Sequence, residues 1–245
     1  MTLSITVLGS SGSYASAQNP CTGYLVRTED TTVLLDCGPG TLGPLQDAMA
    51  IESLDAIVLT HCHPDHWLEL PVIRNVFSYF MERPPIPVYG TAETKAMYDA
   101  ITIGGKGDAL QWSTIDESSE LSIGDQEWSF GVADHPVETL GPYVVADGRR
   151  FVFTSDSGPG WSFRGDMGSV DLALMDASHL SEYENQQIPH MSAREAGERA
   201  RDAGVKKLVL THLVPGSDPD AHRAEAEAAY GGSVDVALSG DTFTV

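Results

Sequence analysis

Three histidines and one aspartate lie within six consecutive positions of this chain, directly after an apolar stretch. The stretch, residues 55–59, is typical of a buried strand, and a loop at the end of such a strand can aim several side chains into one cavity. Imidazole nitrogen and carboxylate oxygen are ligands that zinc, manganese and iron accept. The fold is therefore constrained to one that places a strand end beside a metal site, whose first potential ligands are His61, His63, Asp65 and His66.

The spacing within this run favours metal binding over a solvated, histidine-rich turn. In an extended segment alternate side chains point to opposite sides, so His61 and His63 share one side while Cys62 faces the other. Asp65 and His66 come just before a helix predicted over residues 67–80, where they can point at a second position nearby. The run is also internal, unlike an expression tag. We therefore interpret it as a metal site with hydrolytic chemistry.

The order of predicted elements indicates two similar halves, each running from strands into alternating strands and helices. The first half has predicted strands at 3–8, 22–27, 32–36, 56–60 and 86–89, and helices at 42–50, 67–80 and 92–101. The second has strands at 127–133, 141–146, 150–154, 172–175, 207–210, 234–238 and 242–245, and helices at 193–203 and 221–230. Such halves pack sheet against sheet with helices on both outer faces, a four-layer α/β fold. No linker divides the chain, so one domain is predicted over residues 1–245.

The charge balance argues against long nucleic acids as partners. The 245-residue chain has 14 lysines and arginines against 35 aspartates and glutamates, a formal net charge of -21. Such a surface repels a phosphate backbone, whose binding depends on lysine and arginine. A small anionic substrate is compatible with this charge, because bound divalent ions reverse the potential inside a site.

Location and redox state are predicted from what the sequence lacks. The first residues have neither the basic start nor the long apolar core of a signal peptide. No apolar run approaches the length that spans a membrane. The cysteines, Cys21, Cys37 and Cys62, are scattered and odd in number, which argues against a disulfide framework. A cytoplasmic protein without membrane contact is the default expectation.

Three more potential ligands stand at positions comparable to the run, each directly after an apolar strand. They are His135 after residues 128–133, Asp156 after residues 151–154 and His212 after residues 208–210. Each alone would more commonly be a capped or hydrogen-bonded loop residue. Neighbouring strands can bring such ends to one edge of a sheet, and together with the run they supply the ligand count of a two-metal site.

The complete set resembles the metallo-β-lactamase superfamily, in which a His-x-His-x-Asp-His motif precedes a lone His, a lone Asp and a lone His. The resemblance covers essentially the whole chain and implies an αββα sandwich with two divalent metal ions, most readily zinc, at one edge. It implies three ligands for each ion and one aspartate that bridges them: His61, His63 and His135; Asp65, His66 and His212; and Asp156. Manganese and iron accept the same ligands.

The resemblance also implies a mechanism. Two divalent ions lower the pKa of a bridging water, so that hydroxide is available near neutral pH, and they stabilise charge on a phosphoryl or carbonyl oxygen. Asp65 is predicted to take part in this catalysis as well as to bind a metal ion. A leaving alkoxide still needs a proton, which an additional histidine can supply.

Residues 188–197 resemble the ribonuclease Z-like phosphodiesterase branch of this superfamily. There a histidine donates the proton and a Ser or Thr two residues later contacts phosphate, and the matching positions are His190 and Ser192. Ser192 and Glu195 also have capping-box spacing, so Ser192 is predicted to cap the helix at 193–203. A capped helix start offers backbone N–H groups to a phosphate. The alternative for His190 is a loop histidine bonded to the backbone.

Two further aspartates are predicted to support the ligands. Asp36 matches the family's structural aspartate, which orders loops beneath the metals, and Asp176 is expected to orient a ligand through a hydrogen bond. The Gly/Ser-rich residues 9–13 lack the lysine of a P-loop and predict a tight turn near the site. His222, in the polar helix at 221–230, is predicted to be solvated.

These features predict a hydrolase of small phosphodiesters, such as a 3′,5′-cyclic nucleotide like cyclic AMP. The chain lacks the long Gly/Pro-rich arm with which ribonuclease Z grips tRNA, and residues 5–13 and 241–245 resemble compact actinobacterial cyclic-nucleotide phosphodiesterases. The alternatives are a ribonuclease Z-like endonuclease, a thioester or lactone hydrolase, and a metal-dependent binding module without turnover. The resemblance further implies a homodimer.

Overall fold

Two seven-stranded sheets carry the strands of this chain in a computed structural model that describes residues 2–102, 109–165 and 168–245. The first sheet contains β1 (Ser4–Gly9), β2 (Gly23–Arg27), β3 (Thr32–Cys37), β4 (Ala56–Val58), β5 (Ile86–Gly90), β6 (Leu110–Thr114) and β14 (Thr242–Thr244). The second contains β7 (Glu120–Ile123), β8 (Gln126–Val132), β9 (Leu140–Ala146), β10 (Arg149–Phe153), β11 (Leu172–Asp176), β12 (Lys207–Thr211) and β13 (Val234–Val236). In space the orders are β14-β1-β2-β3-β4-β5-β6 and β13-β12-β11-β10-β9-β8-β7.

The two sheets pack face to face around a shared apolar core. Side chains alternate along β3, so Leu35 enters the core between the sheets while Leu34 packs on the opposite face. Phe151 and Phe153 of β10 meet this same central core from the second sheet. Both faces of the central strands are buried, which explains why these strands read as nearly continuous apolar runs.

Helices cover the outer face of each sheet. Beside the first sheet lie α1 (Leu42–Ala48), α2 (Pro64–Trp67), α3 (Leu70–Phe80) and α4 (Ala92–Ile101), and beside the second lie α5 (Ala193–Asp202) and α6 (Pro219–Tyr230). Small side chains of α5, such as Ala196 and Ala200, let this helix pack closely on β11 and β12. The predicted αββα sandwich of two mixed sheets is confirmed.

Strand direction brings the predicted site residues to common edges. Strands β3 and β4 are parallel, and so are β10, β11 and β12. The carboxyl ends of parallel neighbours lie at one edge of a sheet, so loops that leave them converge. His61 follows β4, Asp156 follows β10 and His212 follows β12.

The structure differs from the predicted elements at several places, and the strand predicted at 242–245 in the second half pairs with β1 in the first sheet as β14. Strands β6 and β7 were not predicted, because both are edge strands whose side chains are mostly exposed or half-buried and which therefore have a weak apolar pattern. The helix predicted over residues 67–80 begins later, as α3 at Leu70, and a separate short helix, α2, precedes it at Pro64–Trp67. Pro71, near the start of α3, cannot donate a backbone hydrogen bond, which favours a new helix start there.

Among the described residues, no helix combines the length and the apolar character that crossing a membrane requires.

Candidate metal centre

The first two histidines of the run lie side by side after β4, as their alternation predicts. His61 is completely buried, and its ring centroid is 4.9 Å from that of His63. Cys62, between them, instead places its Sγ 3.7 Å from a carboxylate oxygen of Glu93. Its carbonyl accepts a hydrogen bond of 2.9 Å from the indole nitrogen of Trp67, which holds the run against α2.

One group of four side chains gathers beside these two histidines. Their potential ligand atoms all lie within 4.8 Å of one another, and the members are His61, His63, His135 and Asp156. Nε2 of His135 is 3.0 Å from Nδ1 of His63. Oδ2 of Asp156 lies 3.6 Å from Nε2 of His61 and 4.0 Å from Nε2 of His135. This is the ligand set predicted for the first metal, together with the predicted bridging carboxylate.

A second group of four shares Asp156 with the first. Its ligand atoms also lie within 4.8 Å of one another, and the members are Asp65, His66, Asp156 and His212. Oδ1 of Asp156 is 3.0 Å from Nε2 of His66 and 3.2 Å from Nε2 of His212. Nε2 of His212 is 3.3 Å from Oδ2 of Asp65. The structure thus brings all seven predicted ligands into two adjoining groups, with one carboxylate oxygen of Asp156 facing each group.

The donor atoms of these groups fit divalent cations. Among the described residues, Nε2 of His61, Nε2 of His66 and Oδ1 of Asp156 are buried atoms without a hydrogen bond, although the last two atoms are 3.0 Å apart. A buried polar atom left unsatisfied costs roughly 1–3 kcal/mol. Metal coordination would satisfy all three atoms at once. The choice of nitrogen and carboxylate oxygen suits zinc and other transition metals.

The protonation states of His61 and Asp156 also suit metal ligands. Burial, together with the neighbouring His66 imidazole, holds the pKa of His61 well below its usual range, so its ring is neutral and offers a lone pair. Burial raises the pKa of Asp156, but the nearby His212 and His66 rings outweigh it and hold that pKa well below its usual range. Asp156 is therefore an ionised carboxylate surrounded by imidazole rings.

Asp36 supports this centre through hydrogen bonds. It is completely buried, and its carboxylate accepts hydrogen bonds from the backbone N–H of Thr60 at 2.8 Å and from the Thr60 hydroxyl at 2.9 Å. Its Oδ2 lies 2.8 Å from Nδ1 of His66. A hydrogen bond from Nδ1–H leaves the Nε2 lone pair of His66 for a metal. Asp36 therefore fixes both the tautomer of His66 and the strand end that precedes His61.

We expect Asp36→Asn to weaken metal binding about 10- to 100-fold, the usual cost of losing such a supporting contact. Asparagine tolerates the positive φ of 56° at this position, so the backbone is retained. A metal titration against a competing chelator measures the effect. Asp55→Asn is the matched control, because Asp55 is an exposed carboxylate that also accepts a backbone hydrogen bond, from Thr32. Equal affinities for wild type and Asp36→Asn would contradict the role of Asp36.

The Gly/Ser-rich turn at residues 9–13 touches the centre directly, as predicted. The backbone N–H of Ser13 donates to Oδ2 of Asp65 at 2.8 Å. A Cβ atom at Gly12 would lie 2.4 Å from the carbonyl oxygen of His212 and 2.8 Å from Nδ1 of the same histidine. Only glycine therefore allows the two segments to approach this closely. Sequence reasoning assigned neither residue a role. The glycine-serine pattern after β1 was the available signal.

His190 belongs to neither predicted ligand set, although it also forms a third group of potential ligands with Asp156, Asp176 and His212. Its Nδ1 is 2.7 Å from Oδ2 of Asp176, and its ring stacks on that of His212 with centroids 5.1 Å apart. The ring of His135 lies 5.3 Å away on another side. Burial alone would lower the pKa of His190, but the Asp176 carboxylate outweighs it and raises that pKa to about 9. His190 is thus positioned and charged as a general acid would be.

Asp176 organises this part of the site more extensively than predicted. Besides His190, its carboxylate accepts hydrogen bonds from the backbone N–H groups of Ser157 and Ser178, each at 3.0 Å. The Ser178 hydroxyl donates to Asp176 at 2.9 Å and lies 3.1 Å from Nδ1 of His212. Ser178 therefore links the carboxylate behind His190 to a metal ligand. The sequence carried no signal for this link, since it depends on packing of separate loops.

Ser192 caps α5 as predicted, but the structure contradicts its predicted contact with phosphate. Its hydroxyl accepts a hydrogen bond from the backbone N–H of Glu195 at 3.0 Å and donates its proton to Oε1 of Glu184 at 2.6 Å. The backbone N–H of Ser192 is bonded to the Glu195 side chain. Because the hydroxyl has a single proton and the residue is completely buried, no donor remains for a phosphate.

The prediction that His222 is solvated is also wrong. His222 is 2% exposed, lies in α6, and its Nδ1 is 2.9 Å from the carbonyl oxygen of Asp218. Its helix looks polar in sequence, yet its inner face packs closely on α5. In a helix with few large apolar residues, the sequence does not show which face is buried, so the burial of a polar residue such as His222 cannot be predicted.

Comparison with known proteins places these features in a wider group. A family model described as a beta-lactamase superfamily domain matches residues 31–213. The probable metallo-hydrolase YhfI of Bacillus subtilis is 30% identical, with 97% of this chain and 98% of YhfI covered. Its crystal structure superposes with a TM-score of 0.89 at 25% identity and covers 100% of this chain and 99% of its own. Ribonuclease Z of Myxococcus xanthus is 25% identical, with 99% of this chain and 97% of that enzyme covered.

The fold, the paired histidine and aspartate groups and these relatives define the chain as a metallo-hydrolase. More specifically, the chain belongs to the beta-lactamase superfamily. The predicted likeness to ribonuclease Z-like proteins is confirmed. The closer likeness to actinobacterial cyclic-nucleotide phosphodiesterases stays a prediction.

Proposed function

We propose that this chain hydrolyses a small phosphodiester, such as a 3′,5′-cyclic nucleotide like cyclic AMP, at a centre holding two divalent ions. The observation that carries the proposal is the pairing of His190 with Asp176, in which Nδ1 and Oδ2 are 2.7 Å apart. The His190 ring also lies beside His212 of one ligand group and His135 of the other. A proton donor is needed when the leaving group is an alkoxide, as it is when a phosphodiester of a sugar opens. Zinc is the expected metal, with manganese and iron as alternatives.

The chain's own residues divide the work of such a reaction. Bound divalent ions would supply Lewis-acid activation of water and of the phosphoryl oxygen. Because Nδ1 of His190 faces Asp176, Nε2 is the ring nitrogen left for the substrate. As a P–O bond breaks, the departing oxygen keeps the bonding electrons and takes the Nε2 proton, and the imidazolium becomes neutral imidazole. Asp176 stays a carboxylate throughout and stabilises the charged form of the ring.

The net charge of the chain supports a small substrate. A net charge of -21 opposes the approach of a long polyanion, whereas a cyclic nucleotide carries a single phosphodiester charge. RNA is the second candidate, because relatives named ribonuclease Z align along nearly the whole chain. Their substrate class also consists of phosphodiesters, so both candidates share the chemistry and differ in size.

A substrate panel tests the proposal. Metal-loaded protein is assayed on cyclic AMP and other cyclic nucleotides, bis(p-nitrophenyl) phosphate, precursor tRNA, a thioester and a lactone. Turnover of the small diesters with little cleavage of precursor tRNA is expected. Preferred tRNA cleavage would select the endonuclease, and preferred thioester or lactone hydrolysis would select carbonyl chemistry. Inertness towards every diester with both metals bound would overturn the proposal, and ligand affinity without product would indicate a binding module.

A further inference from the structure

We infer that Glu184 is a positioning residue for His190, because it closes the segment that carries His190 onto the start of α5. The segment, residues 179–192, is called the His190 loop below. The inference rests on the proposed role of His190 as proton donor. It adds a residue that lies in no metal-ligand motif and that sequence reasoning did not single out.

Glu184 makes a three-point contact across the His190 loop. Its Oε1 accepts hydrogen bonds from the Ser192 hydroxyl at 2.6 Å and from Nε of Arg194 at 2.9 Å. Its Oε2 accepts from Nη2 of Arg194 at 2.5 Å. A bidentate arginine–carboxylate pair fixes both distance and orientation, which a single charge contact does not. The side chain of Glu184 is 15% exposed and that of Arg194 is 40% exposed, so the carboxylate is the more shielded member of the pair.

Because of its position in the sequence, Glu184 closes the His190 loop onto the start of α5. Ser192 is buried and begins α5, whereas the intervening residues 185–187 are exposed. At the start of the loop, the Ser181 hydroxyl donates to Glu225 of α6 at 2.6 Å. At its base, the backbone N–H of Ala193 donates to the carbonyl oxygen of His179 at 2.9 Å. Glu184 therefore fastens the exposed middle of the loop, between these two attachments.

His190 lies inside the closed stretch, between Glu184 and Ser192. Its carbonyl oxygen is 3.1 Å from Nε2 of His179, and its ring is held by Asp176. Loss of the Glu184 contact leaves the ring attached to Asp176 while the backbone that carries it gains freedom. A misplacement of about 1 Å at a reacting group can cost up to about 10²-fold in rate. Glu184 is therefore expected to affect proton transfer while contacting no substrate.

The test compares three variants of the metal-loaded full chain. Glu184→Ala removes the whole contact, while Glu184→Gln keeps an oxygen that can accept from Ser192 but loses the charge. Glu182→Gln is the matched control, since Glu182 is an exposed carboxylate of the same loop. The two substrates are cyclic AMP, whose leaving alkoxide needs a proton, and bis(p-nitrophenyl) phosphate, whose phenolate leaves without one.

We expect Glu184→Ala to lower kcat on cyclic AMP by up to about 10²-fold with little change in KM and to lower it much less on bis(p-nitrophenyl) phosphate. Glu184→Gln should fall between Glu184→Ala and wild type, and Glu182→Gln should match wild type. Metal content should be unchanged in all three. An equal loss on both substrates, or an equal loss in Glu182→Gln, would overturn the inference, because either result indicates general damage.

Amide hydrogen exchange separates this inference from the proposed function. Exchange in residues 180–190 should be faster in Glu184→Ala than in wild type and unchanged in Glu182→Gln, with or without any substrate. Unchanged exchange in Glu184→Ala overturns the closure whatever the enzyme turns over. Inactivity of the wild-type chain on all diesters overturns the proposed function, and the exchange result then still decides whether Glu184 holds the loop.

Discussion

Asp156→Asn is expected to deprive the chain of both divalent ions and to lower kcat/KM by about 10³-fold or more. The reason is that Asp156 faces both ligand groups. Its Oδ2 lies 3.6 Å from Nε2 of His61, and its Oδ1 lies 3.2 Å from Nε2 of His212. Asparagine keeps the shape but presents one neutral oxygen and an N–H₂ group, which cannot coordinate a cation. The substitution thus changes charge and donor chemistry at the point that the two groups share.

Metal analysis after dialysis measures this effect independently of activity. Wild type should retain about two ions per chain, as two-metal sites do, and Asp156→Asn close to none. Asp171→Asn is a suitable control, since Asp171 is also a buried carboxylate but pairs with Lys206, 2.7 Å away, outside both ligand groups. Full metal content in Asp156→Asn would contradict the shared role of Asp156.

His190→Ala is expected to retain both ions and to lose about 10²- to 10⁴-fold in kcat on cyclic AMP, the usual contribution of a positioned general acid. On bis(p-nitrophenyl) phosphate the loss should be small, because the departing phenolate does not require a proton. The contrast follows from the geometry, in which His190 pairs with Asp176 at 2.7 Å and belongs to neither predicted ligand set. The pair of substrates provides an internal control for folding and metal content.

Asp176→Asn is the companion experiment to His190→Ala. Asparagine retains the size of the aspartate but no longer stabilises an imidazolium, so the loss should again be selective for the alkoxide leaving group. Since Ser178 also joins Asp176 to His212, a modest fall in metal affinity is expected in addition. If both variants slow the two substrates equally, His190 is a metal-supporting residue and not the proton donor.

Much of the site could be predicted because its ligands occupy positions that local patterns reveal. His61, Asp156 and His212 each follow an apolar strand, and the parallel arrangement of strands brings such ends together. The two exposed edge strands β6 and β7 escaped prediction for the opposite reason, since exposure weakens the apolar pattern. Element type is therefore most visible in sequence where burial is greatest.

The wrong predictions concern contacts between polar side chains. Ser192 has the spacing of a helix cap, and the cap is present, but its hydroxyl proton belongs to Glu184 and not to a phosphate. His222 lies in a polar helix and is nevertheless buried against the protein. Ser192 finds its acceptor in Glu184, outside its own helix, and His222 is buried because α6 packs on α5. Neither environment is visible in a local sequence pattern.

The sequence by itself determined the fold class and the donor set, because strand patterns and ligand types are properties of neighbouring residues. Only the tertiary structure decided which donors meet. Asp65 and His212 are 147 positions apart, yet their side-chain atoms lie 3.3 Å from each other. The tertiary structure also decided that Asp176 serves His190, that Asp36 serves His66 and that Glu184 holds the His190 loop. The physical reason is that these contacts arise from the packing of two sheets and their loops, which orders residues in space independently of their separation along the chain.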